Sequence, residues 1–364
     1  MRLEQVHVDT VSVPFRAPIV SGSRTFEQRR AGILTLRTGQ GEEGRGEFSV
    51  PGPAELGEDV SPRLVERLEG IHLGDPVAVE GALRDIDAWP FVGRAARAAT
   101  ESALVELLAR LSGRSVAAFL GPTPAMDVAV NAMLGIASPE ATATAAAGMV
   151  EAGFGCLKLK AGDEPTDAVV ARVGAVRDAV GPRVGLRVDF NGALRVKAAE
   201  AMLEGLASYD LEYVEQPIAA SAGWEALAHL RWTGAVPIAA DESVRDVGTA
   251  RALLDAGAVD VLVVKPARVG GLRQAGAIVE LATASAVTVT VSTLFEAGIG
   301  LAGAAQLAAV VPGPGAHGLA TADFLVSDLL RAPLALAGGR MTLPAGPGLG
   351  VELDGAAVDR FRVT

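Results

Sequence analysis

A single cysteine, Cys156, among 364 residues excludes an intramolecular disulfide. The four histidines, His7, His72, His229 and His317, are scattered and form no His/Cys zinc pattern, so any metal site must be built from oxygen ligands. No apolar stretch reaches the ~18 residues needed to span a bilayer, and Met1-Arg-Leu-Glu-Gln5 lacks a basic start followed by an apolar run. No membrane partner is expected, and a cytoplasmic location follows. Basic runs are also absent: 32 basic against 43 acidic residues leave a net charge of −11, which repels phosphate backbones and argues against a nucleic-acid partner. What is present is an ordinary globular composition, 50% apolar and 21% charged, long enough for two domains or one large barrel with an appendage.

From about residue 126 onward, short runs of Val, Ile and Leu alternate with Ala/Glu/Arg-rich helical segments, the signal for βα units and a parallel sheet. Eight strands are expected, at 127–134, 155–160, 184–190, 211–216, 237–242, 259–265, 287–294 and 318–324. The polar residues at their C-terminal ends recur every 24 to 29 residues, room for one strand and one helix each. Eight such units predict an α/β fold of the (β/α)8 barrel type rather than an open doubly wound sheet. The first part of the chain reads differently: strands at 3–15 and 32–37, a glycine-rich turn from Thr38, a further strand beginning at Glu47, then helices, notably 94–111. Residues 1–122 are therefore expected to form an α+β domain and 123–332 the barrel. An irregular C-terminal segment, 333–364, would return to the first domain. Segment 18–30 has no period and is expected to be a mobile loop over the barrel mouth, carrying Arg24.

Active sites of such barrels lie at the C-terminal ends of the strands. Alternation through 155–160 puts Lys158 and Lys160 on one inward face, with Leu157 and Leu159 outward. Asp189 and Asn191 share the inward face of the third strand, and Glu215, Asp241 and Lys265 end the fourth, fifth and sixth. Three carboxylates converging in a low-dielectric mouth repel one another unless protonated or bound to a cation, and a hard divalent ion resolves the conflict. Oxygen ligands with room for water and substrate favour Mg²⁺, with Mn²⁺ as substitute. Lys160 and Lys265, on strands two and six, would stand on opposite faces of a small-molecule carboxylate held between them. A lysine serves as a base when burial and a neighbouring cation favour its neutral form, and Lys158 is that neighbour. The pattern suits removal of a proton next to a carboxylate.

With Lys158-Leu-Lys160, Asp189-Phe-Asn191, Glu215-Gln-Pro217, Asp241-Glu-Ser243 and Lys265-Pro-Ala-Arg-Val-Gly-Gly271, nearly the whole chain resembles the enolase superfamily, muconate-lactonizing branch. The resemblance implies a capping domain over the barrel, metal ligation by Asp189, Glu215 and Asp241, and catalysis by Lys160 and Lys265 with Lys158. Asn191 and Glu242 would support the metal, and a homo-oligomer is expected. Ser292-Thr-Leu-Phe-Glu296 and the stretch from His317-Gly318 to Leu325 look like o-succinylbenzoate synthases. Arg268 in the Lys-x-x-Arg-Val-Gly-Gly form also resembles N-succinylamino acid racemases. Arg24, Arg268, Ser292, Glu296 and Gly318 are the substrate-binding candidates. Dipeptide epimerases carry Asp-x-Asp near the eighth strand, where this chain reads Gly318-Leu-Ala-Thr321. Dehydration to o-succinylbenzoate is the leading expectation, with an N-acylamino acid racemase, a muconate-type cycloisomerase and a non-catalytic metal-binding barrel as alternatives.

Blander readings stand beside these. Taken alone, Lys-x-Lys in a strand is a solvated edge; its place in a buried barrel strand reverses that. The three carboxylates could form a structural charge network with the lysines and the inward Arg187. Cys156 reads as a small core residue. Gly298-Ile-Gly-Leu-Ala-Gly303 matches the dinucleotide fingerprint but follows the seventh strand, where helix amides could instead receive a substrate carboxylate. Ser292, His317 and Asp323 suggest a hydrolase triad, but no Gly-x-Ser-x-Gly elbow accompanies them.

Overall fold

The computed structural model describes residues 1–21, 24–50, 61–89, 93–234 and 236–363. The chain opens with β1 (Leu3–Ser21), β2 (Arg24–Thr38) and β3 (Glu43–Val50), an antiparallel meander in that order. β1 serves two cores because its buried face changes phase along its length. Leu3, Val6 and Val8 pack with Leu34 and Leu36 against the helices of the same domain, whereas Val11, Val13 and Phe15 join the barrel core with Ala31 and Ile33. Three helices follow, α1 (Ser61–Leu68), α2 (Pro76–Asp87) and α3 (Gly93–Leu111), then the short α4 (Val116–Leu120). The α2 start is written in Asp75-Pro76: the Asp75 carboxylate accepts from the amides of Val77 and Ala78, and proline fits the first helical position. α3 lies on β3 so closely that a Cβ at Gly46 would fall 1.9 Å from the Ala99 carbonyl oxygen.

The barrel runs through β4 (Asp127–Ala129), β5 (Ala132–Leu134), α5 (Pro139–Glu151), β6 (Cys156–Lys160), α6 (Thr166–Val180), β7 (Gly185–Asp189), α7 (Val196–Leu206), β8 (Tyr213–Glu215), α8 (Trp224–Thr233), β9 (Ile238–Ala240), α9 (Val247–Asp255), β10 (Val261–Val264), α10 (Pro266–Val269), α11 (Leu272–Ala284), β11 (Thr288–Val291) and α12 (Gly298–Ala308). Strands β5 to β11 form a seven-stranded parallel sheet in chain order. Strands such as β10 are buried along their whole length, as a sheet covered on both faces requires. Among the described residues no helix is long and apolar enough to cross a membrane.

Several sequence expectations are corrected. The 127–134 run divides: β4 leaves the barrel to pair antiparallel with Arg340–Thr342 of the tail, and only β5 joins the parallel sheet. The 318–324 run is not a strand. His317 and Gly318 make single parallel bridges to Val130 and Ser292, closing the ring, and the chain then turns through a 3₁₀ segment (Ala322–Phe324) toward β1, where Leu325 bridges Phe15. There Phe295 stands edge-on to both Phe15 and Phe324, at 5.8 and 5.5 Å between ring centres. Segment 18–30 is no loop, because β1 and β2 pair as far as Ile19 with Phe26 and Ser21 with Arg24. The Arg24 side chain, Gly22 and Ser23 lie outside the described residues. β3 begins four residues before Glu47. The tail carries a hairpin, β12 (Leu336–Ala337) with β13 (Arg340–Thr342), and a helix, α13 (Gly355–Phe361). It touches both halves: β13 pairs with β4, and the Val363 amide donates to the Thr10 carbonyl on β1.

Candidate active site

Register brings the polar strand ends together. β6 pairs with β7 so that Lys160 lies beside Asp189, and β7 with β8 so that Asp189 lies beside Glu215. Asp241 follows β9 directly and Lys265 follows β10. The three carboxylates are at most 1% exposed, and cations turn onto each. Lys160 Nζ lies 2.7 Å from Asp189 Oδ2 and 2.8 Å from Asn191 Oδ1. Lys158 Nζ is shared, 3.0 Å from both Asp189 and Glu215. Lys265 Nζ donates to Asp241 Oδ2 at 2.6 Å and Arg268 to its Oδ1 at 2.5 Å. Asn191 donates to Glu242 Oε1 at 3.1 Å, while Glu242 Oε2 is buried with no hydrogen-bond partner among the described residues.

The electrostatics follow from this sharing. Burial works against the Asp189 anion, but Lys158 and Lys160 outweigh it and hold its carboxyl well below the usual carboxylate range. Glu215 has only a share of one ammonium. Burial, and then the Asp189 charge, push its carboxyl up to about 7 against the pull of Lys158. Burial opposes the Asp241 anion, yet Arg268 and Lys265 lower its pKa. Burial likewise disfavours the Lys158 ammonium, but Asp189 and Glu215 hold its pKa above that of an ordinary lysine.

Asp189, Glu215, Asp241, Lys158, Lys160, Lys265, Asn191, Glu242 and Arg268 are thus brought together. Among the described residues, no group of three or more His, Cys, Asp and Glu side chains stands in an arrangement that would hold a metal ion, because ammonium groups stand between the carboxylates. The donor set nevertheless suits a hard divalent ion. It comprises three buried carboxylates on consecutive strands and an unpartnered Glu242 oxygen, and three of the four competing charges are carried on flexible four-carbon lysine stems. Four acids (with Glu242) face four bases (with Arg268), so a dication and a dianion could enter together without changing the net charge.

The substrate-binding candidates fare differently. Ser292 is buried and its hydroxyl donates to the Gly318 carbonyl at 3.3 Å, across the closing seam of the barrel. Glu296 folds back to accept the Leu294 amide at 2.5 Å and stands beside Glu47 at the domain joint. The α12 start receives no free carboxylate from the mouth; Glu47 of β3 fills it, accepting the amides of Ala297 and Gly300 at 2.7 and 2.9 Å. Arg187 takes no part in the carboxylate cluster. It reaches Glu212 at 2.6 Å, Asn131 and the Ala316 carbonyl, and stacks on Tyr213. His317 Nδ1 accepts the Val291 amide, and burial and then Arg187 lower its pKa to about 4, so it is a neutral structural group and no triad member. Burial pushes the Cys156 thiol up to about 12, leaving it protonated and inert.

Gln216 is the residue the sequence reading passed over. From a positive φ of 39° its amide oxygen accepts the Asp241 and Ser243 amides at 3.0 and 3.2 Å, and its nitrogen donates to the Ile218 carbonyl at 2.7 Å. It ties the end of β8 to the end of β9 and so fixes Glu215 against Asp241. Its place inside Glu215-Gln-Pro217 was visible, but nothing in the pattern gave its direction.

Comparison with known proteins points the same way. A family model described as Mandelate racemase / muconate lactonizing enzyme, N-terminal domain, matches residues 4–121, and one described as Enolase C-terminal domain-like matches 141–357. An o-succinylbenzoate synthase of Thermobifida fusca is 42% identical over 225 residues, 60% of this chain and 68% of that protein. Muconate cycloisomerase 1 of Rhodococcus opacus is 31% identical over 365 residues, 98% of each chain. A solved dipeptide epimerase of Enterococcus faecalis V583, complexed with Mg and the dipeptide L-Leu-L-Tyr, is 28% identical with a TM-score of 0.87, covering 96% of this chain and 99% of that one.

Proposed function

The chain belongs to the mandelate racemase / muconate lactonizing enzyme family of the enolase superfamily, and on that premise we propose that it removes the proton α to a carboxylate, with syn dehydration to o-succinylbenzoate as its overall reaction. The observation that carries the reading is the placement of Lys160 and Lys265 at the ends of the second and sixth barrel strands, with Asp189, Glu215 and Asp241 on the strands between. The 42% identity to the Thermobifida fusca synthase supports the choice of dehydration.

Lys160, as the neutral amine, takes the α-proton. The C–H bond breaks and its electron pair moves into the carboxylate, giving an enediolate. The enediolate pair then returns to form the Cα–Cβ double bond as the β C–O bond breaks on the same face, and the hydroxyl takes a proton from Lys160 to depart as water. A divalent ion such as Mg²⁺, held by Asp189, Glu215 and Asp241, would supply counter-charge for the two enediolate oxygens. Lys265 faces the intermediate as a cation. Asn191 holds Lys160 from one side, and Lys158 keeps its charge beneath Glu215. A racemase is the second reading, favoured by the symmetry of the lysines: each meets a carboxylate of the same cluster, at 2.7 and 2.6 Å.

The test offers the dehydration substrate, N-succinylamino acids, Ala–Glu-type dipeptides and muconate to the Mg²⁺-supplemented protein in ²H₂O. Dehydration should be fastest and dipeptides poorest, since Gly318-Leu-Ala-Thr321 gives their ammonium no acidic partner. Lys160→Ala should abolish dehydration, while Lys265→Arg should keep part of it by preserving a cation. Interconversion of N-succinylamino acid enantiomers as the fastest reaction, requiring both lysines, would select the racemase. Absence of α-proton exchange with every carboxylate would refute the enediolate reading.

A further inference from the structure

Lys265-Pro-Ala-Arg-Val-Gly-Gly271 ends in two glycines that the chemistry of the site does not require. They adopt φ of +104° and +123°, conformations suited to glycine, between α10 and α11. They are also a cradle. A Cβ on Gly270 would lie 2.5 Å from Arg97 Nη1, and one on Gly271 would lie 2.1 Å from Glu101 Oε2. Both side chains come from α3 of the capping domain, four residues apart and therefore on one helix face, and both are buried. Arg97 donates to the Gly270 carbonyl, and the two Glu101 oxygens accept the Arg273 amide at 2.9 and 3.1 Å. A cation meets the C-terminus of α10 and an anion the N-terminus of α11, each the favourable sign for that helix end. The residue preceding α11 is Gly271, which has no side chain to cap it, so the cap comes from the other domain.

The turn so gripped is continuous with the catalytic cluster. The amides of Arg268 and Val269 donate to the Lys265 carbonyl at 2.9 and 3.0 Å, and the Gly271 amide donates to the Pro266 carbonyl at 2.9 Å. Residues 265 to 271 therefore form one hydrogen-bonded frame. Its near end projects Lys265 and Arg268 onto Asp241; its far end is held by Arg97 and Glu101. We propose that Arg97 and Glu101 are positioning residues for Lys265 and Arg268, through which the docked capping domain sets where these two cations stand. The proposal rests on the reading of Lys265 as a group facing substrate.

The test uses the full chain with Mg²⁺ and the variants Arg97→Met, Arg97→Lys and Glu101→Gln, with two readouts. In amide hydrogen exchange, peptides covering 265–273 should exchange about tenfold faster in Arg97→Met and about threefold faster in Glu101→Gln, with β6 unchanged and Arg97→Lys near wild type. In turnover of the best substrate, Arg97→Met should lower kcat about 10- to 100-fold with KM within about threefold, and Arg97→Lys should restore most of the loss. Unchanged protection of 265–273 would overturn the proposal. So would a lowered melting temperature with kcat intact, the mark of residues that only hold the domains together. If Arg97→Met does not fold, the isosteric Glu101→Gln carries both readouts. If the wild type turns over no carboxylate, the proposed reaction is what has failed. The exchange readout still decides the frame: loosening of 265–269 supports the grip on Lys265 and unchanged protection refutes it.

Discussion

Replacing Glu47 by Gln asks whether the joint between the two domains depends on a titrating carboxyl. Burial pushes that carboxyl from 4.5 up to about 7; the Ala297 and Gly300 amides and the Ser49 hydroxyl oppose the rise and Glu296 adds to it. A raised acid binds its proton more tightly in the folded chain than in the unfolded one. Its stabilisation is fully present below about pH 4.5 and is lost as pH rises through about 7, a change of about 3 kcal/mol in all. Gln does not titrate and lacks this slope. Near pH 5 the variant should be the weaker protein by about 1 kcal/mol, because its side-chain NH₂ must face one of the two α12 amides and leave it without an acceptor. Between pH 5 and pH 8 the difference, variant minus wild type, should rise by about 2–3 kcal/mol, so the two stability curves cross. His317 contributes the opposite slope. Its lowered pKa costs stability as pH falls from 6.5 toward about 4, but both proteins carry it and it cancels. Urea unfolding at four pH values suffices, followed by tryptophan fluorescence, with Trp89 under the Arg63 guanidinium reporting on the capping domain. A difference that stays flat to within about 0.5 kcal/mol across that range would refute the argument.

Two further outcomes follow from the site. Chelation should abolish α-proton exchange and Mg²⁺ or Mn²⁺ should restore it; Glu215→Gln should weaken binding of the ion by calorimetry while far-UV circular dichroism stays native. Gln216→Ala should lower stability by about 3 kcal/mol in urea unfolding, because it leaves the buried Asp241 amide and the half-buried Ser243 amide without their acceptor.

The gathering of the lysines and carboxylates at the strand ends is legible because it depends on short-range rules. Alternation in a strand fixes which way Lys158, Lys160 and Asp189 point, and parallel register then sets neighbours without further information. The domain joint was not legible, since its contacts link residues more than 170 positions apart: Arg97 to Gly270, Glu101 to Arg273, Glu47 to Gly300. No periodicity carries such pairings. The sequence offers the α12 amides to a substrate carboxylate because they follow strand seven, and Glu296 to substrate by resemblance, but a capping-domain carboxylate reaches the amides first and Glu296 folds back onto the Leu294 amide. The eighth strand failed for a related reason. After Gly318 the backbone turns from the barrel to β1, so the apolar residues that promised a strand are spent on the seam between domains. Segment 18–30 lacked period because β1 has an irregularity between Pro14 and Ile19, which shifts the alternation without ending the pairing.

The cluster itself makes one more demand, on the order in which ligands bind. Asp189, Glu215, Asp241 and Glu242 are formally balanced by Lys158, Lys160, Lys265 and Arg268, and the first three acids meet these bases directly, at 2.5 to 3.2 Å. A dication entering alone would leave an excess of two positive charges in a buried mouth. A dicarboxylate entering alone would leave two negative charges. Together they add none, so each should favour the other, and by linkage the factor by which the dicarboxylate tightens Mg²⁺ must equal the factor by which Mg²⁺ tightens the dicarboxylate. Coupling of about 1–3 kcal/mol, roughly 5- to 150-fold, is the expected scale. Calorimetric titration of Mg²⁺ into Lys160→Ala, with and without succinylbenzoate-type dicarboxylate, measures it without turnover. Removing one ammonium leaves the cluster one charge short, so in this variant Mg²⁺ alone should bind more tightly than in the wild type. Equal Mg²⁺ affinity with and without the dicarboxylate would show that the lysines, rather than the ion and substrate, remain the counter-charges of the carboxylates when the site is loaded.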